Sequence, residues 1–352
     1  MQEKSLHYLF LYSRLPDYFF RCVQHLLKSS LANSEARIVC YPQDTNAPYR
    51  YEDVTGALRI VEKKDLATLN NWQPDLIYIA GWGDKEYNQI AAQWINRIPV
   101  IMGMDNPWKG SLKQRLAGLV APIYLKNKAT HLWVAGYPQY EYARRMGFPA
   151  NRILHDLYCA DMAKFRKTLP AFQRRIVFVG RMVEYKRPDW LLEAFTELFA
   201  KHPDLQDWEL LMIGNGPLQQ DLQNKYAGAK QVSFLSFVQP DELVRYYHQS
   251  SVFCMPSLFE HWGVVVQEAA AAELALLLSD TCGAASTFLI NGHNGFVFDS
   301  GSKIDFTQKL YMLMKMEPVG LQQMGKRSAA LSERITHDTW CGNLQSVLNG
   351  GK

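Results

Sequence analysis

The stretch RRIVFVGRMVEYKRPDWLLEAF (residues 174–195) contains an apolar run, a charged loop and an amphipathic segment in direct succession. The apolar run ends at Gly180, and apolar residues with helical spacing begin after Pro188. A near-continuous apolar strand followed by a helix is typical of a parallel sheet that is covered on both faces. The stretch therefore predicts one βα unit of an α/β fold.

The same alternation extends over most of the chain. Strand-like apolar runs lie at 6–12, 36–41, 74–81, 98–103 and 130–136, and a second series lies at 174–180, 208–214, 231–237, 251–257, 274–280 and 295–298. Two such series predict two Rossmann-like doubly wound domains. Because ligands bind at the carboxyl ends of parallel strands, we expect the two domains to face a central cleft.

Domain bounds follow from the polar, proline-containing segment near 160–173. We expect an N-terminal, acceptor-side domain over 1–165 and a C-terminal donor domain over 166–335. The last segment, 336–352, is predicted to be a helix that packs back toward the N-terminal domain.

Composition limits the classes of function. The 352 residues are 48% hydrophobic and 20% charged, with a net charge of +4, which is far from the basicity of a dedicated nucleic-acid binder. No apolar run reaches the roughly 18 residues of a membrane span, and the N-terminal run lacks a cleavage site, so we expect a cytoplasmic protein. The six cysteines are scattered without metal-ligand spacing, which predicts reduced thiols and no metal site.

Two strand-end loops of the second series carry groups suited to phosphate. Arg181 and Lys186 follow the 174–180 run, and fixed cations there suit a diphosphate; solvated surface charge is the alternative. In MIGNGPLQQDL (212–222), Gly214, Asn215 and Gly216 let the backbone approach a ligand closely. A tight turn without a ligand is the alternative for this second loop.

A third loop, in PSLFEHWGVVVQEAA (256–270), carries two carboxylates. Glu260 follows the strand, Gly263 opens a helix whose free N–H groups favour an anion, and Glu268 faces the same edge. Carboxylates accept hydrogen bonds from hydroxyls, so the three loops together predict a nucleotide-sugar site. The alternative is structural, with Glu260 capping the helix and Glu268 pairing with a lysine.

On these motifs, residues 174–300 resemble the retaining nucleotide-sugar glycosyltransferases of family four, which have the two-Rossmann GT-B fold. The matching text is VGRMVEYKRPDWLLEAF, LLMIGNGPL, the long segment VSFLSFVQPDELVRYYHQSSVFCMPSLFEHWGVVVQEAAA, and LINGHNGFVF. The spacing of the two glutamates is the family's most specific feature. MGFPANRILHDLYCADMAKF (146–165) also resembles the family's interdomain link, with Asp161 and Phe165 in matching places.

The resemblance implies a role for each residue of the donor site. Arg181 and Lys186 bind the diphosphate and stabilise the leaving group, Glu260 contacts the sugar, and Glu268 holds the ribose. The implied donor-binding set is Gly180, Gly214, Asn215, Gly216, His261, Trp262, Gly263, Val264, Val265 and Glu268. The chain has no Asp-x-Asp, which agrees with transfer that needs no metal and no cofactor beyond the donor substrate.

Three departures from the family pattern leave the donor base and sugar open. Trp262 stands where a phenylalanine is usual, and Ser236 stands where a glycine is usual. SDTCGAAS (279–286) replaces the more common double glycine.

The first domain resembles the family only faintly. The glycine-rich loop is missing from YSRLPDYFF (12–20), and VIMGMDNPW (100–108) places Asp105 where members commonly have a histidine. Asp105 is the candidate for orienting acceptor or donor sugar, with capping of the next helix as the alternative. Asp17, Trp82 and Asp84 are further candidates for the acceptor side.

Residues 108–128 combine cations with apolar residues. From Asn106 to Tyr140 there is no acidic residue. The segment contains Lys109, Lys113, Arg115, Lys126 and Lys128 among Trp108, Leu112, Leu116, Leu119 and Val120. Such a helix can rest on an anionic membrane surface, and a core-facing helix with a solvated positive face is the alternative.

These expectations combine into one interpretation, a retaining hexosyltransferase that acts on a glycan or lipid-linked acceptor in cell-surface glycan assembly. It is expected in the cytoplasm or on the inner face of the membrane, with no nucleic-acid partner. The rival interpretations are a GT-B epimerase that acts on the nucleotide sugar itself and a sugar-nucleotide sensor without turnover.

Overall fold

The computed structural model describes residues 5–30, 33–69, 71–166 and 172–350, apart from the side chains of residues 119, 122–124 and 126. The chain divides into two compact units. The first contains the residues up to Cys159 together with those from Ile335 onward, and the second is Ala160–Arg334. Within the described ranges, no helix combines the length and apolarity that crossing a membrane requires.

The first unit contains a seven-stranded parallel sheet. Its strands are β1 (His7–Leu11), β2 (Glu35–Cys40), β3 (Leu58–Glu62), β4 (Leu76–Ile79), β5 (Val100–Met104), β6 (His131–Val134) and β7 (Ile153–Leu154). Their order is β3-β2-β1-β4-β5-β6-β7. Its helices are α1 (Asp17–Ser29), α2 (Lys85–Trp94), α3 (Leu112–Lys126), α4 (Tyr137–Arg145) and, at the end of the chain, α13 (His337–Asn349).

The second unit contains a six-stranded parallel sheet. Its strands are β8 (Arg175–Val179), β9 (Glu209–Ile213), β10 (Val232–Leu235), β11 (Val252–Met255), β12 (Ala275–Ser279) and β13 (Gly295–Phe298), in the order β10-β9-β8-β11-β12-β13. Its helices are α5 (Met162–Phe165), α6 (Pro188–Lys201), α7 (Gln219–Lys225), α8 (Pro240–His248), α9 (Val264–Ala271), α10 (Ala285–Phe288), α11 (Lys303–Met314) and α12 (Pro318–Ser332).

Two parallel, doubly wound sheets confirm the predicted α/β fold class. Every predicted apolar run overlaps a strand. Strands β3 and β7 have no counterpart among the predicted runs, and both lie at an edge of the first sheet. In β3 only Leu58 and Val61 are buried, and β7 has two residues, so neither forms a continuous apolar run.

The units divide slightly before the boundary expected from the sequence. The short helix α5 belongs to the second unit, where Phe165 packs edge-on against Tyr247, with ring centroids 5.7 Å apart. The backbone N–H of Ala160, just before α5, donates to Gln267 Oε1 at 2.8 Å. Residues 167–171 of the expected linker lie outside the described residues.

Helix α13 packs on the first unit. The buried ring of Trp340 lies 4.8 Å from that of Trp133 on β6. Its indole N–H donates to the Leu157 carbonyl at 3.0 Å. Trp133 and Leu157 both belong to the first unit. Burial of Trp340 therefore attaches the C-terminal helix to the seven-stranded sheet.

Candidate functional site

The loops after β8 and β11 meet in the second unit. These strands are neighbours at the point where the strand order reverses, which is where open α/β sheets bind ligands. Lys186 Nζ forms an ion pair with a Glu260 carboxylate oxygen, and the two side chains are only 12% and 15% exposed. The Leu258 N–H donates to the Tyr185 carbonyl at 2.7 Å, which fixes the two loops to each other.

Two aromatic rings extend this contact. The Tyr185 ring stacks on that of Phe259 at 4.8 Å, and the His261 ring lies 5.9 Å beyond Phe259. The exposed Arg181 guanidinium donates to the Tyr185 hydroxyl at 2.5 Å. The structure thus brings the predicted Arg181, Lys186, Glu260 and His261 into one group of contacts. Sequence reasoning missed Tyr185 and Phe259, although each immediately precedes a predicted site residue.

The glycine loop after β9 is packed against backbone. Gly214 has a φ of +135°, and a Cβ there would lie 2.1 Å from the Gly180 carbonyl oxygen. A Cβ on Gly216 would lie 2.3 Å from the Met182 carbonyl oxygen. Asn215 Oδ1 accepts from the Phe237 N–H at 3.0 Å, which ties in the loop after β10. Packing therefore accounts for these residues, and their role in donor binding stays a prediction.

Gly263 allows the sharp start of α9 beside Glu260. Its φ is +91°, and a Cβ there would lie 3.2 Å from Glu260 Cγ, so a larger residue would press on the Glu260 side chain. Val264 and Val265 form the first turn of the helix. Trp262 is 2% exposed and packs on Phe288, and its carbonyl accepts from the Ala284 N–H at 3.0 Å, so its role in donor binding stays a prediction.

Two neighbouring groups set the chemistry around the glutamates. The Tyr247 hydroxyl of α8 donates to Glu268 Oε2 at 3.1 Å, so this carboxylate is held by a phenol. This bond orients the Glu268 carboxylate on α9. Burial, followed by the charge of Glu260, raises the pKa of Cys282 to about 12, so this thiol stays protonated.

In the first unit, Asp105 follows β5 and lies among tyrosines. The Tyr158 hydroxyl donates to Asp105 Oδ2 at 3.3 Å. Tyr18 packs edge-on against Tyr158 at 5.5 Å, and Tyr12 stacks on Tyr78 at 6.1 Å. Burial raises the pKa of all four phenols, so they remain neutral donors and acceptors. No local pattern predicts this cluster, because Tyr18 lies on α1, Tyr78 lies on β4, and the other members come from separate loops.

Asp84 and Asp17 each have structural partners. Asp84 caps α2 by accepting from the N–H groups of Glu86 and Tyr87, and its carboxylate also binds Lys63 Nζ at 2.5 Å. Burial opposes ionisation, but the hydrogen bonds from Lys63 and then Tyr41 lower the pKa of Asp84. Asp17 is the buried first residue of α1, with Arg21 Nε 3.4 Å away. Acceptor binding by either carboxylate stays a prediction.

Trp82 lies two residues before Asp84 and beside α3 and α4. It lines a pocket of about 510 Å³ together with Ala117, Val120, Tyr142 and other residues. The Trp82 and Asp84 carbonyls both accept from Asn88 Nδ2, so these two candidates share one loop, whereas the Asp17 carboxylate lies beside Arg21. A role for Trp82 in acceptor binding stays a prediction.

Helix α3 exposes an apolar row. Leu112, Leu116 and Val120 follow one another at four-residue intervals and are 77%, 64% and 63% exposed. Ala121 and Leu125 are buried on its other side. The alternative for this segment, a core-facing helix, required its apolar residues to face the core. These three do not. The side chains of Leu119 and Lys126 lie outside the described residues.

The sequence of the second unit matches a known protein family. Residues 161–333 match the family model described as glycosyl transferases group 1. The second unit belongs to this family. The group 1 segment spans the Lys186–Glu260 pair, the glycine loop and α9. The resemblance drawn from the motifs is confirmed at the level of the family, whereas retention of configuration stays a prediction.

Individual relatives agree with this family. A D-inositol 3-phosphate glycosyltransferase of Corynebacterium diphtheriae is 29% identical over 187 residues, covering 51% of this chain and 42% of the relative. The chain spans about half the length, or less, of the curated relatives that it matches.

Solved structures match over nearly the whole chain. Anabaena HepE, in complex with UDP and glucose, has a TM-score of 0.74 at 14% identity, covering 98% of this chain and 99% of that one. WaaG, a glycosyltransferase involved in lipopolysaccharide biosynthesis, has a TM-score of 0.69 at 13% identity, covering 98% and 100%. At these identities the likeness shows the fold alone, which is that of GT-B glycosyltransferases.

Proposed function

We propose that this protein is a retaining glycosyltransferase. It moves a hexose or N-acetylhexosamine from a nucleoside-diphosphate sugar to a glycan or lipid-linked saccharide, in the assembly of cell-surface polysaccharide or glycoconjugate. The observation that carries the proposal is the Lys186–Glu260 pair at adjacent strand ends of the group 1 segment. It places a cation suited to phosphate next to a carboxylate suited to sugar hydroxyls.

The charges of this site suit cleavage of the bond between the donor sugar and its diphosphate. An ammonium group has three N–H donors, so Lys186 can bind Glu260 and still donate to the diphosphate. Arg181, braced by Tyr185, adds a planar donor. When the bond between sugar C1 and the phosphate oxygen breaks, both cations stabilise the charge that develops on the leaving group. In this proposal they supply what a divalent ion supplies in other transferases.

In this proposal, retention follows because the acceptor attacks from the face that the diphosphate leaves. The new bond joins the acceptor oxygen to C1, and the departing phosphate oxygen takes the acceptor proton. Glu260 holds sugar hydroxyls, and Glu268, oriented by Tyr247, holds the ribose. HepE was solved with UDP and glucose, which supports testing uridine donors first.

The acceptor is assigned to the first unit. Asp105 and the surrounding phenols offer a carboxylate and neutral hydroxyls, a combination that suits a polyhydroxylated acceptor better than a second diphosphate. WaaG acts in lipopolysaccharide biosynthesis, which supports an acceptor in cell-surface glycan assembly.

We place the enzyme on the inner face of the membrane through α3. Its exposed row of Leu112, Leu116 and Val120 lies in a segment with cations and no acidic residue, which suits an anionic leaflet. Cosedimentation with phosphatidylglycerol vesicles tests this. Binding should fall in Leu112→Asp/Leu116→Asp but not in Ile304→Asp, which changes an exposed apolar residue of the second unit. Equal binding by both variants rejects the membrane role.

The function is tested by donor binding and by transfer. We expect one class of nucleoside-diphosphate sugar to raise the melting temperature and to release its nucleoside diphosphate in the presence of acceptor. Glu260→Gln should lower kcat/KM for transfer strongly. Glu197→Gln, an exposed glutamate paired with Lys201 on α6, should leave it unchanged and serves as the control. Wild-type activity in Glu260→Gln would remove Glu260 from the donor site.

Product analysis separates the rival functions. An epimerase interconverts donor isomers without an acceptor, whereas a transferase forms a glycosylated acceptor and free nucleoside diphosphate. A sensor binds the donor and does neither. An α-linked product from an α-linked donor supports retention, and a β-linked product contradicts it.

A further inference from the structure

Three metal-ligating side chains from distant parts of the sequence meet in the first unit. They are Cys22 on α1, Cys159 at the end of the unit's first stretch, and His337 at the start of α13. One ligand atom from each lies within 4.8 Å of the other two. Both thiols are fully buried. The sequence predicted unligated thiols because none of these residues is near another in the chain.

The spread of these atoms is close to that of a zinc site. With Zn–S bonds of about 2.3 Å and Zn–N bonds of about 2.0–2.1 Å, tetrahedral geometry puts ligand atoms roughly 3.5–3.8 Å apart. The observed limit of 4.8 Å exceeds this by about 1 Å, so the ligand atoms must move closer together by about that distance when an ion binds.

The surrounding groups favour a cation. Asp338 follows His337 and binds His25 Nε2 at 2.7 Å, and the His25 ring lies 5.1 Å from that of His337. Cys341 lies one helical turn beyond His337, on the same side of α13, and is buried. It adds a third cysteine to this neighbourhood, which thus contains a negative charge and a further sulfur.

We propose that Cys22, Cys159 and His337 bind Zn²⁺ in a structural site. The ion would fasten α1, the end of the first stretch and α13 to one another. Binding displaces one proton from each thiol to solvent, so affinity rises with pH. All three residues belong to the first unit, and the proposal is independent of the proposed transferase activity.

Cobalt titration of the reduced, chelator-treated full chain tests the site. We expect one equivalent of Co²⁺ to give thiolate-to-metal charge-transfer absorption and the intense visible bands of tetrahedral coordination. Zn²⁺ should displace the cobalt and raise the melting temperature. A folded wild-type chain without these bands overturns the proposal, as does a Cys22–Cys159 disulfide that persists under reducing conditions.

Variants assign the ligands. Cys22→Ser, Cys159→Ser and His337→Gln should each weaken binding by more than the roughly 10–100-fold that loss of an outer-shell partner costs. Cys40→Ser removes another buried thiol of the same unit, on β2, and should leave the spectrum unchanged. His337 is partly exposed at a helix start, so His337→Gln should fold even where a cysteine variant does not. Unchanged cobalt binding in folded His337→Gln contradicts the assignment.

Discussion

In each sheet the strand order reverses at one point, and the side chains near that point differ between the two units. In the second unit, the loops after β8 and β11 are joined by a charged pair, Lys186 and Glu260, with Arg181 nearby. Near the reversal point of the first unit, neutral phenols surround one carboxylate, Asp105. In the proposed function, the same topology serves two kinds of ligand, an anion at one sheet and a neutral polyhydroxylated molecule at the other.

The largest expected effect tests how the loops of the second unit are packed. Gly214→Ala places a Cβ against the Gly180 carbonyl at a φ that favours glycine. Overpacking and backbone strain together should cost about 2–5 kcal/mol of unfolding free energy. Urea denaturation measures this. Gly228→Ala, where a Cβ meets nothing within 4 Å, is the control. Equal stability of the two variants would show that the loop after β9 can rearrange to accommodate a Cβ at position 214.

The next effect tests the charged pair. Lys186→Met and Glu260→Gln should each lower kcat/KM for transfer by roughly 10–150-fold, because each removes a charge-assisted bond of about 1.5–3 kcal/mol. The double variant should lose less than the product of the two single losses, since the residues contact each other. Fully multiplicative losses would mean that the pair acts as two independent groups.

A smaller effect tests the tyrosine cluster. Tyr158→Phe removes the hydroxyl that donates to Asp105, which costs about 0.5–1.5 kcal/mol, or roughly 2–10-fold in kcat/KM for the acceptor. KM for the donor should not change. Tyr137→Phe, at a 70% exposed tyrosine of the same unit, is the control. A change in the donor KM alone would assign the cluster to the donor.

The smallest effect tests a carboxylate with a structural role. Asp84→Asn keeps a capping side chain but removes the charge that binds Lys63, which should cost about 0.5–1 kcal/mol at pH 7. The pKa of Asp84 is lowered by folding, so this contribution is present above the unfolded value of about 3.9 and is lost as pH falls through the folded value. Denaturation of both proteins from pH 7 to pH 3 should therefore show the difference shrinking. A difference that grows in acid would reverse the sign of the linkage.

The sequence by itself determined the α/β class and the position of the charged loops. Apolar runs and helical spacing are local patterns, and the rule that ligands bind at strand ends places Arg181, Lys186 and Glu260 without coordinates. The edge strands β3 and β7 were missed because an exposed or very short strand has no continuous apolar run.

Only the tertiary structure decided which residues touch. It paired Lys186 with Glu260, stacked Tyr185 on Phe259, and showed that Gly214 is needed for packing against Gly180. It also brought Tyr158 to Asp105, and it gathered the Cys22, Cys159 and His337 cluster from both ends of the first unit. Contacts between residues far apart in the chain depend on how the strands are ordered and packed, and no local pattern records that order.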